Sequence, residues 1–114
     1  MAKFPLEILE NIAIFLRFYS ESLRYMKFNR KVVIPNELGL HARAAAKIAK
    51  LAEQAHSDVY IVKDGQEVDA TSIVDVIALY CPCGVEVAVK ITDPRDAKVL
   101  NEITRLIETG FGEM

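Results

Sequence analysis

The chain has 114 residues, 52% of them hydrophobic and 26% charged, a composition typical of one folded domain with a modest core. Its formal net charge of −2, with no long basic run, argues against a nucleic-acid-binding protein, because such proteins rely on a positive surface. The only two cysteines, Cys81 and Cys83, lie too close together for a disulfide framework and indicate a reducing, cytoplasmic location.

The chain is predicted to divide into an N-terminal extension, residues 1–28, and a domain, residues 29–114. The extension is apolar, but charged residues interrupt it, so no run approaches the roughly 20 apolar residues of a membrane span. It also lacks the basic start and small-residue cleavage site of a signal peptide. Apolar residues at alternating spacings of three and four predict one amphipathic helix, whose stripe comprises Leu9, Ile12, Leu16, Tyr19, Leu23 and Met26.

Three roles for this extra helix are open. It could pack on the sheet of its own domain, or form the seam of a homodimer, because its spacing is also a heptad fragment. Binding at a membrane surface is disfavoured, because the polar side of the helix carries both signs of charge. Alternatively, Met26 is the true start of translation and the extension is not made.

From Arg30 onward the patterns alternate. "KVVIPN" predicts a strand, "ARAAAKIAKLAEQA" a helix, and "DVYIVKDGQEVDA" a hairpin turning at Asp64 and Gly65. "SIVDVIALY" predicts a second helix, "VEVAVKIT" a strand, and the segment from Pro94 to Gly110 a last helix. The order β-α-β-β-α-β-α predicts an α+β domain with three helices on one face of a four-stranded antiparallel sheet. The strand order stays open, since a ferredoxin-like arrangement has the same pattern.

The outer face of this sheet is predicted to be apolar. In "VYIV", Tyr60 and Val62 point away from Val59 and Ile61, and Val33 of the first strand also points outward. A sheet face open to water is usually polar, so we expect a cover, for which the N-terminal helix is the candidate.

The stretch "NELGLHARAAAKIAK" carries the strongest chemical signal. Gly39 permits a tight turn, His41 then lies at or near the N-cap of a helix, and Arg43 falls in the first turn. The first amides of a helix have no internal partners and attract anions, and arginine adds donors suited to phosphate. A neutral imidazole there is a competent nucleophile, so His41 is predicted to accept a phosphoryl group. The alternative is that His41 only caps the helix.

No other catalytic motif accompanies this histidine. The sequence contains no P-loop, no glycine-rich dinucleotide motif and no acid–base pair beside His41, so no cofactor is expected. The two cysteines and two histidines are not spaced as a structural zinc site, so no metal is expected either. One nucleophile beside the free amides of a helix N-terminus and an arginine can receive and donate a phosphoryl group. This is the chemistry of a carrier rather than an enzyme.

Three motifs, in the right order and at the right distances, resemble the HPr family of histidine-containing phosphocarriers of the bacterial phosphotransferase system. They are "LGLHARAAAK", "DGQEVDATSI" and "LIETGFGE", and the opening is most similar to proteobacterial HPr and its nitrogen-related paralogue NPr. The resemblance implies an open-faced β-sandwich. It implies that His41 takes its phosphoryl group from enzyme I and passes it to an enzyme IIA, with Arg43 stabilising the group.

The resemblance also assigns roles around the second predicted helix. Ser72 matches the serine that HPr kinase/phosphorylase modifies in some bacteria. The patch formed by Ile73, Val74 and Ile77 matches the surface with which the family docks on its partners. Ser72 with Asp75 also reads as a capping box, which explains the serine without phosphorylation. Asp75 would repel a phosphate added there.

Two features depart from the family pattern: the N-terminal extension, and Ala44 at the position where the family usually has proline. Alanine is a good helix former, so the helix and the transfer are expected to persist. The alternative function is a regulatory module that binds proteins through the Ile73–Ile77 surface and is switched by phosphorylation without transfer. The pairing of His41 with Arg43 favours the carrier, because a binding module needs no nucleophile. Whether the carrier serves a sugar or a nitrogen branch depends on its partners.

Overall fold

The computed structural model describes residues 8–17 and 28–114. Residues 8–17 are helical and are called α1. The following elements are β1 (Asn29–Val33), α2 (Ala42–Ala52), β2 (Val59–Lys63), β3 (Gln66–Asp69), α3 (Ile73–Ala78), β4 (Glu86–Ile91) and α4 (Ala97–Glu108). Short 3₁₀ turns precede and follow α4 at Pro94–Asp96 and Gly110–Gly112. The predicted order of strands and helices is therefore confirmed.

The four strands form one antiparallel sheet in the order β1-β4-β2-β3, which settles the arrangement that the pattern left open. β4 lies in the centre, with Val87 opposite Val32 and Val89 opposite Ile61. The hairpin joining β2 and β3 turns at Asp64 (φ 50°) and Gly65 (φ 80°), as predicted. Two positive φ values in succession match the twist of the flanking strands.

The hydrophobic core lies between the inner face of the sheet and the helices α2, α3 and α4. Alternate residues of β4 are buried, as the alternation of apolar and polar residues in "VEVAVKIT" predicted. The apolar residues that recur every three or four positions along α4 are buried as well. One continuous cluster joins them, in which the fully buried large residues include Ile34, Ile48, Ile61, Leu100, Ile103 and Phe111. The α+β class with helices on one sheet face is confirmed.

The predicted outward direction of Val33, Tyr60 and Val62 is confirmed, and Val33 is 50% exposed, but the outer face is not uniformly apolar. Tyr60 and Val62 are only half-buried, and their cross-strand neighbours are largely charged: Asp69 and Lys90 beside Tyr60, and Glu67 beside Val62. Lys90 donates to Glu67 (2.7 Å) and lies over the Tyr60 ring, 5.9 Å from its centroid. Charged side chains on neighbouring strands thus partly shield Tyr60 and Val62 on this face.

Two helices end before the sequence pattern predicts. α2 ends at Ala52 rather than Ala55, because the carboxylate of Asp96 accepts the backbone N–H groups of His56 (2.7 Å) and Ser57 (3.0 Å) and holds that segment as a turn. α3 ends at Ala78, and the chain reverses direction through Tyr80, whose φ of 56° is left-handed.

All ten described residues of α1 are exposed, including Leu9, Ile12 and Leu16 of the predicted stripe. Packing of this helix on the sheet is therefore not observed for residues 8–17. Tyr19, Leu23 and Met26 lie outside the described residues. Within the described ranges no helix has both the length and the hydropathy to span a bilayer. The homodimer seam stays a prediction.

Candidate functional site

The loop between β1 and α2 is held against the segment that follows α3. The N–H of Leu40 donates to the carbonyl of Cys81 (2.9 Å), and the N–H of Gly84 donates to that of Ile34 (2.8 Å). Gly39 has a φ of 68°, and a Cβ there would lie 2.6 Å from the Cys81 carbonyl oxygen. Only glycine fits both the left-handed backbone and this close approach. The loop therefore delivers His41 to a fixed place.

His41 is the N-cap of α2, as predicted. Its φ of −84° and ψ of −178° are extended, and the backbone N–H of Arg43 donates to its Nδ1 (3.3 Å). A ring nitrogen that accepts a hydrogen bond carries a lone pair, so the proton of the neutral ring lies on Nε2. Nδ1, the ring nitrogen that carries the lone pair, thus faces the first turn of α2.

The other side of the ring meets the end of the chain. Nε2 of His41 contacts Oε1 of Glu113, and the side chains are 26% and 19% exposed respectively, so water reaches both only partly. Asn36, 1% exposed, donates from its Nδ2 to Oε2 of the same carboxylate (2.9 Å). Hydrogen bonds from Asn36 and His41 lower the pKa of Glu113, which keeps the carboxylate charged.

Arg43 and Ala44 complete the first turn of α2. Arg43 is exposed, and its charge contributes to lowering the pKa of Glu113, which places a cation within electrostatic reach of the ring. The first bond inside the helix runs from the N–H of Ala45 to the carbonyl of His41 (2.9 Å), so the amides before Ala45 have no helical acceptor. Since Ala44 is not proline, it keeps its N–H, although the residue itself is fully buried.

An apolar surface borders the histidine. His41, Leu38, Leu40, Ile77, Tyr80, Cys81 and Pro82 line a shallow pocket of about 320 Å³. Ile73 and Val74 lie one turn before Ile77 on α3, and all three are exposed, as the predicted docking patch requires. The structure therefore brings the predicted patch and His41 to the same side of the molecule.

Tyr80 is a surface feature that sequence reasoning missed. Its side chain is 74% exposed although its backbone is left-handed, and Lys63 Nζ lies 5.5 Å from its ring centroid. Lys63 also donates to the carbonyl of Leu79 (3.1 Å) and thereby closes the end of α3. Nothing in the local sequence marks an aromatic residue for a positive φ.

Ser72 is the N-cap of α3. Its Oγ accepts a long hydrogen bond from the N–H of Asp75 (3.4 Å), so the hydrogen bond from the helix to the serine side chain in the predicted capping box is present.

Both cysteines are free thiols, with Cys81 buried and Cys83 exposed, and burial raises the pKa of the Cys81 thiol. Across residues 8–17 and 28–114, no group of three or more histidine, cysteine, aspartate or glutamate side chains is placed to hold a metal ion.

Comparison with known proteins identifies the family. The model of the family described as the PTS HPr component phosphorylation site matches residues 28–109, which is more than half of the chain. The chain belongs to the HPr family. This confirms the resemblance carried by the three motifs and makes the chain a member of a family of phosphocarriers of the phosphotransferase system, which are not enzymes.

Relatives in both subgroups are similar over nearly their whole length. The phosphocarrier protein HPr of Cupriavidus necator is 38% identical over 84 residues, covering 74% of this chain and 94% of that protein. The phosphocarrier protein NPr of Escherichia coli is 32% identical over 89 residues, covering 77% and 99%. A crystal structure of HPr from Thermoanaerobacter tengcongensis matches with a TM-score of 0.68 at 32% identity, covering 75% of this chain and 97% of that chain.

Sequence reasoning within this HPr-family chain missed Asn36 and Glu113. Asn36 opens the stretch "NELGLHARAAAKIAK" and Glu113 ends the motif "LIETGFGE", yet neither was given a role. The two residues are 77 positions apart, so no local periodicity connects them.

Proposed function

We propose that this HPr-family protein carries a phosphoryl group on Nδ1 of His41. The observation that carries the proposal is the N-cap position of His41, with Nδ1 turned towards the amides of the first turn of α2. A phosphoryl group bonded to Nδ1 would lie over those amides, where the positive end of the helix dipole favours an anion. The long 3.3 Å hydrogen bond from Arg43 N–H is easily exchanged for one to a phosphoryl oxygen.

Arg43 is proposed to hold the phosphoryl group by charge. Its guanidinium is solvent-exposed, so the side chain is free to turn towards an anion on His41 or towards a partner. Negative charge spreads over the equatorial oxygens during phosphoryl transfer, and positioned cations and amides are what such transfer needs from a protein. The remaining catalytic groups come from the partners.

The proposed donor is enzyme I and the proposed acceptor an enzyme IIA domain, both met in the cytoplasm. The exposed patch of Ile73, Val74 and Ile77, next to the pocket at His41, supports docking of these partners. A donor seated there would bring its phosphorylated side chain to Nδ1, and an acceptor would bring an unphosphorylated side chain to the phosphoryl group on His41. Phosphorylation of Ser72 by HPr kinase/phosphorylase stays a prediction, opposed by the neighbouring charge of Asp75.

A chase experiment distinguishes the carrier from a regulatory module that is phosphorylated without passing the group on. The protein is phosphorylated, freed of donor, and mixed separately with a sugar-type and a nitrogen-type enzyme IIA. Loss of the phosphoryl mass from the carrier with an equal gain on one acceptor supports transfer and also names the branch. Retention of the group in the presence of both acceptors contradicts the carrier.

A further inference from the structure

The contact between His41 and the end of the chain is built on a rigid turn. After α4 the chain passes through three consecutive left-handed residues, Gly110 (φ 66°), Phe111 (φ 58°) and Gly112 (φ 78°). Phe111 is fully buried, and Lys47 of α2 donates to its carbonyl (2.6 Å). This turn reverses the chain and aims Glu113 at the mouth of α2. The turn therefore fixes the backbone of Glu113, and Asn36 and His41 hold its carboxylate.

Asn36 fixes which atoms of the carboxylate face the histidine. Its Nδ2 donates both to the carbonyl of Gly39 (2.8 Å) and to Oε2 of Glu113 (2.9 Å). Turning the amide over would place its oxygen against two acceptors, so the present orientation holds although Oδ1 of Asn36, buried, has no partner among the described residues. Oε1 of Glu113 is left for Nε2 of His41 alone.

We propose that Glu113 is a positioning residue that, held by Asn36, keeps the proton of His41 on Nε2 and so reserves Nδ1 for the phosphoryl group. This inference rests on the proposed phosphocarrier function. The Nδ1 lone pair forms the P–N bond while the bond to the donor breaks, and the donor atom keeps its electron pair. Nε2 retains its proton throughout, and the carboxylate balances the positive charge that the phosphorylated ring acquires. On transfer to the acceptor, the P–N electron pair returns to Nδ1.

The substitution Glu113→Gln tests this role because it replaces one acceptor oxygen of the carboxylate by an NH₂ donor. The shape of the side chain stays nearly the same. The introduced amide has one acceptor and one donor group, but it faces two donors, Asn36 Nδ2 and His41 Nε2–H. Since Asn36 is held by Gly39, the new oxygen is expected to face Asn36 and the new NH₂ group to face His41. The ring then takes its proton on Nδ1, the nitrogen that should attack. The matched control is Glu37→Gln, which removes the same charge from an exposed position in the loop before His41.

Two measurements read the result. Long-range ¹H–¹⁵N spectra of the neutral ring should show Nε2–H in the wild type and the control, and a shift towards Nδ1–H in Glu113→Gln. Phosphorylation by enzyme I and phosphoenolpyruvate should lose about tenfold in kcat with KM unchanged, because the ring and not the docking surface is altered. An unchanged tautomer, an unchanged kcat, or an equal loss in Glu37→Gln overturns the proposal. If the wild type is not phosphorylated at all, the phosphocarrier function fails, whereas the spectra still decide whether Glu113 sets the tautomer.

Discussion

Gly39 and the carbonyl oxygen of Cys81 are so close that a Cβ on Gly39 would lie 2.6 Å from that oxygen. This approach, with the bond from Leu40 to the same carbonyl, joins the loop before His41 to the segment after α3. The histidine and the apolar patch proposed for docking are thereby held in one spatial relationship. The local backbone at Gly39 is thus part of the site although it carries no reactive group.

Gly39→Ala is expected to lower the free energy of unfolding by about 2–4 kcal/mol, since it adds both a left-handed alanine and an overlap with backbone atoms. Gly65→Ala is the matched control: its φ of 80° is also left-handed, but nothing lies within 4 Å of the added Cβ. That control should lose only about 1–2 kcal/mol. Urea unfolding of both variants measures the difference, and equal losses would show that the contact with Cys81 is unimportant.

If the patch of Ile73, Val74 and Ile77 is where enzyme I docks, a substitution there should change the KM and leave the stability unchanged. Val74 is 76% exposed, so Val74→Asp should alter the free energy of unfolding by less than about 0.5 kcal/mol. It should raise the KM for phosphorylation by enzyme I about tenfold, because a charge would be buried at the interface. Val33→Asp, on the outer face of the sheet, is the control for an added exposed charge. If both variants have the wild-type KM, the patch is not where enzyme I docks.

Ala44 predicts a difference from relatives that have proline at this position. The N–H of Ala44 is one of the first-turn amides without a helical acceptor, but Ala44 is fully buried, so a phosphoryl oxygen bonds this N–H only if it packs against the first turn of α2. Ala44→Pro removes this donor, and proline is tolerated in the first turn of a helix. We expect the phosphohistidine of this variant to hydrolyse about tenfold faster or more, because a hydrogen bond to a charged group contributes about 1.5–3 kcal/mol. Decay of the phosphorylated mass with time is the measurement, and equal lifetimes would exclude a role for this amide.

The pH dependence of the His41 contact follows from Glu113. Its pKa lies below the ordinary 4.5, chiefly because of the hydrogen bond from Asn36 and secondly that from His41. For a carboxyl group with a lowered folded-state pKa, the stabilisation is complete above 4.5 and is lost as pH falls through the lowered value. A ¹³C titration of the Glu113 carboxyl should therefore have its midpoint below 4.5 in the wild type. In His41→Ala the midpoint should rise but stay below 4.5, since Asn36 remains; a midpoint unaffected by His41→Ala would contradict the contact.

The sequence predicted the fold well where the residue pattern repeats. The alternation around Val87 and Val89 and the hairpin at Asp64 and Gly65 each depend on neighbours within a few residues. The charged part of the outer sheet face was not predicted, because the surroundings of Tyr60 include Lys90, a residue of another strand. The strand order likewise depends on pairing between distant segments.

In the site, too, the features that depend on nearby residues were predicted and those that depend on distant residues were not. His41 and Arg43 could be proposed from the sequence because a helix N-terminus, a histidine and a cation occur within a few residues. Glu113 could not be, since its place beside His41 depends on three left-handed residues at the end of α4 and on Asn36. The backbone of Tyr80 gives no sequence signal either, because aromatic residues rarely adopt a positive φ.

The measurement that tests the central claim most directly is the intact mass of the protein after incubation with phosphoenolpyruvate and a proteobacterial enzyme I. The account predicts the gain of one phosphoryl group that is stable in alkali, lost in acid, and absent in His41→Ala. A phosphoryl group that persists in His41→Ala, or no gain in a folded wild-type protein with several enzymes I, would contradict it.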